Sequence, residues 1–291
     1  MRTSFFRSSV LLAGLTISIM LLAACGSTSD AGTNTTPAQS TPAPTTPTIN
    51  LNVTTHLFEP FITVVDPATT GTTVTFINND TVAHDLKSVP LADNSELSFV
   101  NVSGTISKTI PAGGSITLNL TKPGLYDLYD DTQATFDKTW KRVKTKANTA
   151  GFPHAAEAVI WVKGAIAGLP SAVKNTVIAG NDDFQLDFVA VKTGGSVTWH
   201  NYDTDKHYVS MPSTFGLNID PAKIGDGLNL VNGTDDAPPN GGDTKLTFTT
   251  PGLYYYYCTA HADFDTGLDR ANPHPDASVF PIPMEGFVLV G

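Results

Sequence analysis

The chain has 291 residues, with 17 Lys and Arg against 27 Asp and Glu, and its formal net charge at neutral pH is −10. Such an acidic protein disfavours nucleic acid and anionic lipid as binding partners, because both repel negative charge. A partner protein with a basic docking surface suits this charge better.

The first predicted element is an export signal. Arg2 and Arg7 precede an apolar run that ends in small residues just before Cys25, which is the order of a secretory signal peptide. The run is short for a helix that spans a bilayer. Residues 22–25, Leu-Ala-Ala-Cys, resemble the bacterial lipobox, which implies cleavage after residue 24 and a lipid on Cys25. We therefore predict a signal peptide at 1–24 and an extracytoplasmic protein, periplasmic or at the outer face, that is lipid-anchored to a bacterial membrane.

A linker follows the predicted lipidation site. Residues 25–50 are almost all Ser, Thr, Pro, Ala, Gly and Asn, a composition that cannot bury a core and predicts a flexible tether. The sequence has two cysteines, so lipid on Cys25 would leave Cys258 without an intramolecular disulfide partner. An unpaired thiol in an oxidising compartment is open to oxidation unless it is buried or occupied. Cys258 therefore calls for a function.

The rest of the chain contains two copies of one module. Residues 69–84 align with 192–207 at an offset of 123, and residues 122–137 align with 250–265 at an offset of 128. The second alignment continues without a gap to the end of each copy, which indicates an internal duplication.

Each copy has the pattern of short β-strands. Apolar Val197 and Trp199 alternate with Thr198 and His200, the period of a half-buried strand, and Pro-Gly pairs punctuate both copies. A copy of roughly 120 residues is large enough to bury its own core. We therefore predict an all-β fold of two tandem Greek-key β-sandwich domains, at 51–168 and 169–291.

Four potential metal ligands occur in the second copy. Two imidazoles, a thiolate and a thioether are the donors of a type 1, or blue, copper site. Here they are His207, Cys258, His261 and Met284. Their sequence context resembles the plastocyanin-like cupredoxin family, through Gly194-Gly-Ser-Val-Thr-Trp-His-Asn201, Pro251-Gly-Leu-Tyr-Tyr-Tyr-Tyr-Cys258-x-x-His261 and Met284-x-Gly286-x-Val288.

The resemblance covers nearly all of 175–291 and, in weakened form, 51–168. It implies a cupredoxin fold, one type 1 copper per chain on those four residues, and an Asn201 side chain that braces the loop bearing Cys258. One departure concerns the axial ligand. Here 22 residues separate His261 from Met284, far more than in the family. Met211 and His274 therefore remain competitors for the role of Met284.

The first copy has lost most of these donors. The same offsets place His84, Asp130, Gln133 and Ala156 at the four ligand positions. Without a thiolate, blue copper cannot form there. Two interpretations stay open: a vestigial hydrogen-bonded cluster, or a harder site in which His84, Asp130 and Asp131 bind zinc or manganese.

In the second copy we call the 22-residue stretch between His261 and Met284 the long loop. Both copies keep an Asp and an Arg at matching positions of this loop. They are Asp137 with Arg142, and Asp265 with Arg270. A buried or capping Asp–Arg pair in each loop would explain this match, and we take it as an expectation.

These features predict a membrane-anchored carrier of single electrons that exchanges them with redox partner proteins. Two alternatives remain. A multicopper oxidase or nitrite reductase-like enzyme needs a further copper centre built from extra histidines, and the sequence has no His-x-His pair. A copper storage or delivery protein generally relies on Met-rich or His-rich tracts, whereas this sequence has four dispersed Met.

Overall fold

The computed structural model describes residues 45–52, 54–90, 102–177, 181–203, 207–212, 228–230 and 242–291. The predicted signal peptide, Cys25 and most of the predicted linker lie outside these residues. The segment from Ala43 to Gly291 forms one compact unit. In the described part, no helix is long and apolar enough to cross a membrane.

The described strands of the first repeat form two main sheets and a hairpin. They are β1 (Thr48–Leu51), β2 (Phe58–Glu59), β3 (Ile62–Val65), β4 (Thr73–Asn78), β5 (His84–Ser88), β6 (Ser107–Ile110), β7 (Ser115–Asn119), β8 (Gly124–Asp130), β9 (Ala134–Asp137), β10 (Arg142–Thr145) and β11 (Glu157–Val162). One sheet has the order β2-β1-β4-β7, the other has the order β3-β11-β8-β5-β6, and β9 pairs with β10.

The described strands of the second repeat follow a related plan. They are β12 (Ala172–Val177), β13 (Phe188–Val191), β14 (Gly195–Asn201), β15 (His207–Val209), β16 (Leu228–Leu230), β17 (Asp243–Phe248), β18 (Gly252–Tyr257), β19 (Ala262–Asp265), β20 (Arg270–Pro273) and β21 (Glu285–Val290). The sheets have the orders β12-β14-β17 and β13-β21-β18, and β15 pairs with β16 and β19 with β20 in two-stranded sheets. The all-β prediction is confirmed. The division into domains at 51–168 and 169–291 stays a prediction.

The alternation of apolar and polar residues produces the strands. In β4, Val74 and Phe76 are fully buried while Thr73, Thr75 and Ile77 are only partly buried. This alternation is expected for a strand with one face on the core. The first sheet starts earlier than the sequence indicated. Ile49 in β1 is fully buried and pairs in register with Phe76. The last residues of the predicted linker 25–50 therefore belong to a strand rather than to a tether.

Strand β18 is buried on both of its faces. Tyr254 and Tyr256 belong to the core of the second repeat, which also contains Cys258. Tyr255 points the other way and contacts Phe61 of the first repeat, with 6.1 Å between the ring centroids. Aromatic pairs at this distance add to the free energy gained from apolar burial. Apolar side chains thus join the two repeats.

Buried arginines also join the repeats, and here the sequence expectation is wrong. Arg142 Nε donates to Asp183 at 2.9 Å and Nη1 donates to Asp187 at 2.5 Å, both in the second repeat. Asp137 instead accepts the backbone N–H of Thr139 at 2.8 Å, within its own turn. The guanidinium extends to the interface because buried carboxylates there satisfy a buried cation.

The contact is reciprocal. Arg270 donates to the carbonyl of Ala155 at 2.8 Å and lies 4.2 Å from the centroid of the Phe61 ring, both in the first repeat. Phe152 and Phe280 occupy matching positions of the two repeats and contact each other edge to face at 5.5 Å. In each repeat, therefore, the arginine of the long loop makes its side-chain contacts with residues of the other repeat.

Candidate metal centre

Three of the four predicted copper ligands lie together in the second repeat. The Sγ of Cys258 is 3.9 Å from Nδ1 of His207 and 3.5 Å from Nδ1 of His261. The two imidazole rings lie 4.8 Å apart between centroids. The potential ligand atoms of these three residues all lie within 4.8 Å of one another, so the group could hold a metal ion.

The backbone positions these side chains. Ser210 and Tyr257 exchange two backbone hydrogen bonds of 2.9 Å, which hold the strand of His207 against the end of β18. Cys258 directly follows β18, and the N–H of His261 donates to the Cys258 carbonyl at 3.2 Å in the next turn. One strand and one turn therefore bring both histidines to the thiol.

The thiol of Cys258 lies in an apolar and fully buried environment. Burial raises its pKa above the ordinary value, although the backbone N–H of Tyr208, 3.3 Å from Sγ, acts in the opposite direction. A buried thiol stays protonated at neutral pH unless a cation replaces the proton. A metal ion between the thiol and the two imidazoles would supply that cation.

Met284 is the predicted ligand for which the structure gives a position but no donor distance. It is 1% exposed and packs in the same core cluster as Cys258, whose N–H donates to the Met284 carbonyl at 2.9 Å. The competitor His274 has its nitrogens next to other groups, at 3.2 Å from the Ala260 carbonyl and 3.2 Å from Asp263. Met211 packs against the edge of the core cluster. Axial coordination by Met284 stays a prediction.

Two carboxylates lie behind the histidines, and sequence reasoning missed both. The Nε2 of His207 is 3.3 Å from Asp203, and the Nε2 of His261 is 3.2 Å from Asp182. Carboxylates in this position orient ligand imidazoles and fix which nitrogen faces the metal. In both histidines, Nδ1 is the nitrogen that faces Cys258.

Burial also affects the charge of His207. It lowers the pKa of this histidine below the ordinary value, and the neighbouring His261 lowers it further. At neutral pH the imidazole is therefore uncharged, which is the form that binds metal ions.

The predicted role of Asn201 concerns the loop of Cys258. The structure gives this side chain a bond to a different segment, since Asn201 Oδ1 accepts the N–H of Asp203 at 2.8 Å. The first repeat contains the same bond, from the N–H of Asp80 to Asn78 at 2.8 Å. Asn201 thus fixes the turn that carries the carboxylate partner of His207, and bracing of the Cys258 loop stays a prediction.

The first repeat has the same backbone hydrogen bond as this site but different side chains at most of the ligand positions. The N–H of Asp130 donates to the Ala156 carbonyl at 2.8 Å, as that of Cys258 does to Met284. The Oδ2 of Asp130 lies 2.5 Å from Nδ1 of His84. Asp131, the third residue of the alternative site, pairs with Lys87 at 2.5 Å, so its carboxylate is engaged away from His84.

Comparison with known proteins gives a partial match. Residues 171–267 match the model of the copper binding proteins of the plastocyanin/azurin family. This range contains His207, Cys258 and His261, and it ends before Met284. Among proteins with curated functions, none matches this chain significantly.

Solved cupredoxin structures are similar to part of the chain. A Cu(I) form of an amicyanin mutant is 16% identical and covers 40% of this chain and 82% of its own, with a TM-score of 0.26. A mutant plastocyanin of fern is 20% identical and covers 41% of this chain and 100% of its own, with a TM-score of 0.28. A purple cupredoxin from Nitrosopumilus maritimus is 17% identical and covers 40% of this chain and 99% of its own, with a TM-score of 0.25. The segment 171–267 is thus similar in sequence to the copper binding proteins of the plastocyanin/azurin family.

Proposed function

We propose that the second repeat binds one copper ion in a type 1 site and carries single electrons at the outer face of a bacterial membrane. The observation that supports this proposal best is the position of the buried Cys258 thiol between the Nδ1 atoms of two histidines. The donor set fits copper, because a thiolate suits Cu(I) and imidazole suits both oxidation states. When bound, the copper supplies the one-electron redox couple.

The surrounding residues suit electron transfer because they hold the donors in place. The carboxylates of Asp182 and Asp203 orient the two imidazoles, and the N–H of Tyr208 contacts the sulfur. A fixed geometry needs little rearrangement when the charge changes by one. The side chain of His261 is 14% exposed whereas that of His207 is fully buried, so His261 is the proposed exit for the electron.

The proposed membrane anchor and the proposed kind of partner protein are both inferred from the sequence. Lipid on Cys25 and the linker that follows it would hold the protein at the membrane surface. Loss of Arg2 and Arg7 with the signal peptide takes the formal charge from −10 to −12. A redox partner with a basic docking surface would meet this acidic protein quickly, since opposite charges accelerate association.

A copper titration of the full chain, followed by visible absorption and by metal content, tests the proposal. We expect an intense thiolate-to-copper band that saturates at one bound copper per chain. Cys258→Ser should abolish the band, whereas Thr259→Ser, a change of the exposed neighbouring residue, should keep it. A band that survives Cys258→Ser, or no band at all, would contradict the type 1 site.

The electron-transfer part has a separate test. Voltammetry of the copper-loaded chain should show one reversible one-electron wave. A site that binds copper but keeps it in one oxidation state, or loses it readily to chelators, would favour copper storage or delivery. Turnover of oxygen or nitrite by the copper-loaded chain would favour an enzyme.

A further inference from the structure

A second group of potential ligands lies in the first repeat, outside the predicted copper site. The Nδ1 of His56 and the Nε2 of His84 are each 3.2 Å from Oδ2 of Asp80. The three ligand atoms all lie within 4.8 Å of one another. Ligands bound to a tetrahedral zinc ion at about 2.0–2.1 Å lie about 3.3 Å apart, so this spacing suits a metal ion.

One buried nitrogen of the cluster has a carboxylate neighbour but makes no hydrogen bond in the described part of the chain. The Nδ1 of His56 is buried and makes no hydrogen bond within the described residues, although Asp80 lies close to it. Buried polar nitrogens are nearly always satisfied, and a bound ion is one recognised reason for an exception. The backbone of His56 is also unusual, with φ at 55°. Such a conformation is uncommon outside glycine and often occurs at functional sites.

His84 is held in the orientation that a ligand needs. Its Nδ1 lies 2.5 Å from Asp130, so that its Nε2 faces Asp80. Asp130 is itself fixed, since it accepts the backbone N–H of Thr132 at 3.0 Å and that of Asp85 at 3.2 Å. A carboxylate on the far nitrogen of an imidazole is the usual support of a metal-bound histidine.

Comparison of the two repeats shows how the ligands differ. Leu51 pairs with Phe58 in the first repeat and Val177 bridges to Phe184 in the second, so His56 occupies the position of Asp182. The first repeat thus has an imidazole where the second has a carboxylate. Its potential ligands lie on the Nε2 side of the central histidine, because Asp130 occupies the side where the second repeat has its thiol.

We propose that His56, Asp80 and His84 bind a divalent transition-metal ion, with zinc the metal that fits best, while Asp130 positions His84 through its other nitrogen. Two imidazoles and one carboxylate are a common protein ligand set for zinc, and they leave a fourth position for water or another ligand. This site contains no thiolate and is therefore distinct from the proposed copper site. It also differs from the set His84, Asp130 and Asp131, because Asp130 supports the site and Asp131 lies outside it.

Zinc and cobalt titrations of the full chain test this site. The chain carries Cys258→Ser so that the thiol of the second repeat cannot contribute. Calorimetry counts the zinc equivalents, and Co²⁺ reports tetrahedral coordination through its visible absorption. His56→Asn is the key variant because asparagine tolerates a left-handed backbone and the side chain is 26% exposed. Asp80→Asn removes the shared carboxylate.

We expect each of these two variants to lose one zinc equivalent and the cobalt absorption that belongs to it. Asp130→Asn should keep the stoichiometry and weaken that affinity about 10- to 100-fold, as substitutions behind a ligand do. His200→Gln is the control, because His200 also pairs with a carboxylate, that of Asp243, in the second repeat. It should bind zinc as the parent does.

The proposal is overturned if the parent binds no zinc, or if His56→Asn and Asp80→Asn both keep every equivalent. Thermal unfolding of the metal-free chains separates lost binding from lost folding. If His56→Asn folds like the parent and still gives the full cobalt spectrum, the cluster is a hydrogen-bonded remnant. None of these outcomes depends on copper, so failure here leaves the blue band of the second repeat as an independent result.

Discussion

The carboxylate of Asp182 lies 3.2 Å from the Nε2 of His261, on the nitrogen that does not face Cys258. Asp182 is in turn held by Ser278, whose backbone N–H donates to it at 2.5 Å. Ser278 belongs to the 22-residue stretch between His261 and Met284. The long loop therefore fixes His261, the least buried of the four proposed copper ligands.

Replacement of this carboxylate should weaken copper binding. In Asp182→Asn the imidazole of His261 loses its charged partner and is held less firmly in the orientation of a ligand. We expect copper affinity to fall about 10- to 100-fold, measured by competition with a chelator. Asp263→Asn is the matched control, because that carboxylate lies 3.2 Å from His274 but is 81% exposed. Equal affinity in both variants would show that Asp182 does not position the ligand.

Met284→Leu separates the packing role of this residue from its proposed role as axial ligand. Leucine keeps nearly the same volume, so the free energy of unfolding should fall by less than about 1.5 kcal/mol. Loss of the weak thioether donor should nevertheless shift the reduction potential and change the visible spectrum of the copper-loaded chain. Met211→Leu should leave both unchanged. The reverse result would assign the axial position to Met211.

Arg142→Met should destabilise the protein strongly. The substitution leaves the carboxylates of Asp183 and Asp187 at the interface between the repeats without their cation. Removal of one partner from a buried ion pair costs about 3–5 kcal/mol, to be measured by denaturant unfolding. Lys163→Met breaks an exposed pair with Asp66 and should cost at most about 1 kcal/mol. Similar small costs for both would mean that Arg142 adds nothing specific.

The free energy of unfolding should depend on pH because the buried carboxyl of Asp127 keeps its proton in the folded chain. Burial and, next, the charge of Asp187 together raise the pKa of Asp127 to about 8. An unfolded aspartate releases its proton near pH 4, so the folded chain binds the extra proton between about pH 4 and pH 8. This group therefore makes stability fall as pH rises through that window, by at most about 1.4 kcal/mol per pH unit.

Asp127→Asn removes this titration. Relative to the parent, the variant should become steadily more stable as pH rises through the window, as measured by denaturant unfolding at several pH values. Asp276→Asn changes an exposed carboxyl and should follow the parent at every pH. A constant difference between Asp127→Asn and the parent would mean that Asp127 is ionised throughout.

Local pattern predicted the strands and the order of the donors. The alternation around Val74 and around Val197 indicates strands in both repeats, and β4 and β14 lie there. The grouping of His207, Cys258 and His261 depended on resemblance, because no local rule brings residues about 50 positions apart together. In the structure, the backbone pairing of Ser210 with Tyr257 brings them together.

The carboxylates and the arginine contacts could not be found in this way. His56 and Asp182 match at an offset of 126 residues, between segments with little letter-by-letter similarity, so the repeat did not reveal them. The partners of Arg142 lie in the other repeat. A pattern within one repeat shows neither which face meets a neighbour nor which buried charge faces it.

The reciprocal arginines and the Phe152–Phe280 contact give the two repeats the interface of a symmetric dimer, although both belong to one chain. Matching residues meet each other, and each copy sends the same side chain into its counterpart. Such isologous contacts normally form between separate subunits and depend on their concentration. The covalent link removes that dependence, since the partner is always present.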